Sequence, residues 1–115
     1  MTGCVVLLCT CGSVAEARRL SRTIVREKWA ACVNIIPSVA SVYRWRGRIE
    51  ESRESLLLIK TTRSLFRKLE RRLRKLHSYE VPEIIALPIV AGSAPYLRWL
   101  AESVENNSRP PDAHR

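Results

Sequence analysis

At 115 residues the chain suits one domain with a single, modest core. Its apolar share of 46% and charged share of 27% are those of a globular protein, and no apolar run approaches the ~20 residues a membrane helix needs. Twenty Lys and Arg against eleven Asp and Glu give +9; such a balance admits an anionic partner, with a solvated cationic helix face as the plainer reading.

Residues 3–11, GCVVLLCTC, form a continuous apolar run, the pattern of a central strand buried on both faces. The run follows Met-Thr-Gly without a basic residue, so it does not read as a signal peptide, and the cytosol is the expected compartment. Ser13 with Glu16 predicts a capping box. Ala17, Leu20, Ile24 and Val25 then recur at helical spacing, to an end near Lys28. Residues 30–61 predict one long hairpin: Cys32–Ile36 and Val39–Trp45 around Pro37, a turn at Arg46-Gly47, and a return over Arg48–Thr61. The half near the turn has little apolar content, and alternation puts Tyr43 and Trp45 on one side of it. A second helix is predicted over 63–76, with Leu65, Phe66, Leu69, Leu73 and Leu76 as its stripe; seven basic residues accompany one acid between Arg63 and Lys75. A last strand is predicted at about 83–90, then a helix capped by Ser93 with Pro95 in its first turn. Residues 1–105 read as the domain and 106–115, polar with two prolines, as a disordered tail.

The order β-α-β-β-α-β plus a helix is the ferredoxin-like α+β arrangement, and right-handed crossovers give an antiparallel sheet of order 4-1-3-2. Pro37 and Pro88 then fall on edge strands, where a missing N–H is tolerated. The four cysteines, Cys4, Cys9, Cys11 and Cys32, sit in apolar surroundings without a C-x-x-C pair, so reduced thiols are expected.

The segments AACVNIIPSVASVYRW, GRIEES, LLLIKTT, HSYEVPEIIALPI and PYLRWL occur in an order and spacing that resemble the CutA family of divalent-cation tolerance proteins, from about Val5 to Leu100. The resemblance implies a PII-like compact homotrimer and a role in tolerance of divalent metals, copper above all; the sequence shows no Ser-His-Asp or paired-carboxylate constellation, and an enzyme is not expected. The resemblance also implies a set of metal ligands: Cys9, ending the first strand, with His77 and Glu83. Ser78 stands where the family pattern has proline, so a less rigid loop is expected there.

Antiparallel pairing of the fourth strand with the first would bring this trio to one end of the sheet. Thiolate, imidazole and carboxylate suit copper or zinc. Taken singly, each residue has a plainer role: Cys9 as a small buried hydrophobe, His77 as a helix end, Glu83 as a partner for an arginine. Tyr43 and Trp45, on a hairpin with no core of its own, are expected at a subunit interface.

Three other functions fit the same chain order. A PII-like sensor would hold a small ligand between protomers. An acylphosphatase-like enzyme would bind phosphate at the TCGS loop, residues 10–13, against a helix N-terminus. An RNA-recognition domain would need aromatics on its central strands, and these contain none; neither nucleic acid nor membrane is an expected partner.

Overall fold

The structure is a computed structural model that describes residues 2–105; the predicted tail from Asn106 lies outside the described residues. Strand β1 (Cys4–Cys11) leads to helix α1 (Val14–Arg26), then to strands β2 (Cys32–Trp45) and β3 (Arg48–Thr62). A single 3-10 turn (Arg63–Leu65) opens helix α2 (Phe66–Leu76), followed by β4 (Ile84–Pro88) and α3 (Ala94–Glu102). The sheet order is β2-β3-β1-β4, all neighbours antiparallel, which is the expected order read from the other edge. Both prolines lie on edge strands. No helix among the described residues is long and apolar enough to cross a membrane.

Local chemistry explains the joints. Pro37 does not split β2. Instead the register slips between Ile36 and Val39, a bulge held by Ser55 Oγ donating to Pro37 O at 2.8 Å. At the hairpin tip Arg46 and Gly47 both take positive φ, 53° and 79°, as a primed two-residue turn requires; glycine is demanded by φ, since nothing lies within 4 Å of the Cβ it lacks. Helix α1 starts where expected, with Ser13 Oγ accepting from Glu16 N–H at 3.1 Å, and ends at Lys28 in the left-handed region. Ser93 occupies the N-cap position of α3, but its side chain makes no capping hydrogen bond, contrary to the expectation.

The two faces of the sheet differ. Directly paired residues share a face, so Val5, Leu7, Cys9, Leu57 and Ile59 lie together, and all are buried beneath Ala17, Leu20, Ile24, Leu69 and Leu73 of α1 and α2. The other face carries Val6, Leu8, Leu56 and Leu58, all only half-buried, with Ile85 and Leu87 exposed at 48% and 49%. Helix α3 buries Leu100; just beyond it Val104 is buried and Glu105 N–H donates to Lys28 O at 2.9 Å. Beyond the body, the hairpin gives the molecule a longest dimension of 52 Å against 28 and 24 Å, and leaves Val42 and Ile49 65% and 73% exposed.

Candidate functional site

The end of the sheet at Cys9 to Cys11 collects the chemistry. Cys9 pairs with Ile84, the first residue of β4, so Glu83 lies just outside the strand beside it. The α2–β4 loop then folds back onto the β1–α1 loop. His77, Ser78 and Tyr79 are each held by a hydrogen bond from a different quarter.

His77 is buried, its Nε2 lying 2.7 Å from Thr10 O and its Nδ1 3.0 Å from Tyr79 N. The carbonyl can only accept and the amide can only donate, so Nε2 carries the proton and Nδ1 uses its lone pair on Tyr79 N–H. Ser78 donates twice to the buried Glu16 carboxylate, from N–H to Oε2 at 2.8 Å and from Oγ to Oε1 at 2.9 Å. Burial raises the Glu16 carboxyl, but the two Ser78 bonds, His77 and the Gly12 N–H outweigh it, and its pKa lies below the ordinary carboxylate value. Tyr79 donates its hydroxyl to Glu54 Oε2 at 2.8 Å, linking the loop to the hairpin; burial, then that carboxylate, push the phenol up.

The expected looseness at Ser78 is therefore corrected. Proline has neither of the hydrogens that Ser78 donates, and here those hydrogens satisfy a buried charge. The sequence pattern marks Glu16 only as part of a capping box; its carboxylate crosses to Ser78. A seryl N–H where proline is usual was the available signal. The same carboxylate occupies the TCGS loop, where an acylphosphatase-like site would need to receive an anion.

The trio Cys9, His77 and Glu83 shares one end of the sheet, as strand pairing predicts. Among the described residues no group of three or more His, Cys, Asp or Glu side chains is arranged to hold a metal. The reasons are local. Both ring nitrogens of His77 are engaged. Cys9 is fully buried, and burial, then Cys11, Glu83 and other acids, push its thiol up to about 12. A metal takes the thiolate, the form that burial disfavours. Glu83 is exposed and makes no ion pair among the described residues. With Glu54, Glu80, Tyr43, Trp45 and Tyr79 it lines an open cleft of about 580 Å³ beneath the hairpin.

Tyr43 and Trp45 do share a side of the hairpin, 42% and 46% exposed. Tyr43 Oη lies 3.3 Å from Ser52 Oγ, and the Arg46 guanidinium sits 5.6 Å from the Trp45 ring centre.

Fold and site together define a ferredoxin-like α+β domain with a cleft under a projecting hairpin and a half-open apolar sheet face. The family model described as "CutA1 divalent ion tolerance protein" matches residues 5–103, and the chain belongs to that family. It is 50% identical over 98 residues to the divalent-cation tolerance protein CutA of Thermus thermophilus, spanning 85% of this chain and 95% of that one. It is 45% identical over 102 residues to the chloroplastic CutA protein of Arabidopsis thaliana, 89% of this chain but 56% of that one. Among solved structures, the Thermus thermophilus protein superposes with a TM-score of 0.87 at 48% identity, covering 89% and 99% of the two chains. The Oryza sativa CutA1 structure gives 0.87 at 42%, covering 91% and 98%.

Proposed function

We propose that this protein serves tolerance of divalent cations, copper among them, as a homotrimer that binds rather than catalyses. The supporting observation is the half-open sheet face, where Val6, Leu8, Leu56, Leu58, Ile85 and Leu87 form one apolar surface continuous with the unpaired edge of β4. Apolar patches of this kind mark contact sites, and further copies of the chain against the face and along the hairpin would remove it from water. The unpaired thiols fit a reducing compartment such as the cytosol. Neither nucleic acid nor membrane has a part in this reading.

On this reading the cation is met from solvent by the carboxylates at the cleft mouth, Glu83 first, while Cys9 and His77 build the wall behind. Calorimetric titration of metal-free protein with Cu(II) and Zn(II) tests it. Glu83→Gln is expected to weaken binding about tenfold, or 1.4 kcal/mol, and Cys9→Ser to leave it nearly unchanged. Loss of binding in Cys9→Ser with normal binding in Glu83→Gln would make the thiol the ligand and contradict the reading. The cleft beside Tyr43, Trp45 and Tyr79 favours a second reading, a PII-like small-ligand sensor; its volume is that of a small-molecule site.

A further inference from the structure

We propose that the trough between α2 and β4 is a binding site for a small anionic ligand, a phosphate ester that carries an apolar body. Two helices do not roof four strands. Ala86 and Pro88 of β4 pair with Leu7 and Val5, on the face that α1 and α2 cover, yet both are exposed where Leu7 and Val5 are buried. The uncovered strip and the flank of α2 enclose a cavity of about 720 Å³, at the opposite end of β1 from the His77 loop.

The lining has two parts. Its floor is apolar, with Phe66, Ala86, Pro88 and Ile89. Its rim is cationic, with Arg63, Arg67, Lys68 and Arg71, and among the described residues no Asp or Glu lines the cavity. Elsewhere on α2 the protein supplies its own counter-charges: Arg72 forms a two-pronged pair with Glu27 at 2.8 and 2.9 Å, and Arg74 meets Glu70 at 2.7 Å. Arg63, Arg67 and Arg71 make no ion pair among the described residues. Arg67 and Arg71 are one helical turn apart and like-charged, and the acid between them in sequence, Glu70, is taken up by Arg74.

This division matches a ligand with two parts. Guanidinium forks take phosphate oxygens two at a time, and the floor accepts an apolar ring or chain. The volume is that of a small-molecule pocket. A bare anion would use the rim alone. An extended polyanion would use the whole basic surface, including Arg74.

Titration of the full-length protein with 1-naphthyl phosphate tests the proposal, with inorganic phosphate and 1-naphthol as its two halves. The expected result is saturable binding near one ligand per chain, at least about tenfold tighter than either half. The double variant Arg67→Gln, Arg71→Gln and the floor-filling Ala86→Phe should each weaken binding at least about tenfold. Arg74→Gln removes one positive charge from the same helix outside the cavity, and affinity should stay within about twofold. All four residues are exposed, so the variants should fold, which circular dichroism checks. The proposal is overturned if naphthyl phosphate fails to saturate or binds no tighter than inorganic phosphate. Equal weakening by Arg74→Gln and by the double variant also overturns it, since that marks attraction to net charge alone. None of these outcomes depends on the metal titration.

Discussion

Replacing Glu16 with glutamine removes one charge and almost no volume from the lock that joins the β1–α1 and α2–β4 loops. The carboxylate accepts both hydrogens of Ser78, at 2.8 and 2.9 Å, with His77 Nδ1 3.7 Å away and Arg19 at 3.8 Å. Hydrogen bonds to a charged group contribute about 1.5–3 kcal/mol each. The amide oxygen keeps one of the two Ser78 bonds, while the amide NH2 turns toward a donor. A loss of about 2–3 kcal/mol at pH 7 is therefore expected. The pH dependence fixes the cause. The folded-state pKa of Glu16 is lowered, so its contribution is fully present above the ordinary glutamate value, about 4.3, and is lost as pH falls through the folded value. The difference between parent and variant should hold from pH 7 to about 5.5 and shrink as pH falls below the ordinary glutamate value. Urea unfolding at one fixed protein concentration, followed by circular dichroism from pH 7 to 3, measures it. A difference under about 0.5 kcal/mol at pH 7, or one unchanged at pH 3, would refute the lock.

Trp45→Asp and Ile85→Asp should each give a folded monomer. Both side chains are nearly half exposed in the single chain, so the new charge is solvated there but buried and unpaired in an assembly, at a cost of several kcal/mol; either variant remaining an assembly at micromolar concentration removes that residue from the interface. A disulfide reagent such as DTNB at pH 8 should modify at most one of the four thiols, Cys32, since Cys4, Cys9 and Cys11 are buried and burial pushes the Cys9 and Cys11 thiols up. All four should react in urea, and two or more reacting in the native protein would contradict the burial.

Element order, strand order and the hairpin turn were legible because each rests on local or periodic signals. Ser13 ahead of Glu16, the 65-69-73 stripe, Arg46-Gly47, and prolines confined to edges all agree on one topology. Pro37 was harder. Sequence shows the missing N–H but not whether the chain ends the strand or bulges, and a distant residue, Ser55, decides it. The half-open face was hidden in β1 because a continuous apolar run has no polar alternate to mark a second environment. At the site, strand pairing correctly brought Cys9, His77 and Glu83 to one region. Whether three donors form a ligand set depends on which hydrogen bonds they already make, and the partners here are backbone groups, Thr10 O and Tyr79 N–H, that carry no sequence signature. The Glu16–Ser78 contact, 62 positions apart, was equally invisible.

The central claim is that the half-open sheet face and the hairpin are covered by further copies of this chain. Light scattering coupled to gel filtration at micromolar concentration tests it most directly. The account predicts a single species at three times the chain mass of 13.1 kDa. A species at 13.1 kDa with native circular dichroism would contradict it, because a stable monomer would be holding Leu8, Leu58, Ile85 and Leu87 against water with no partner.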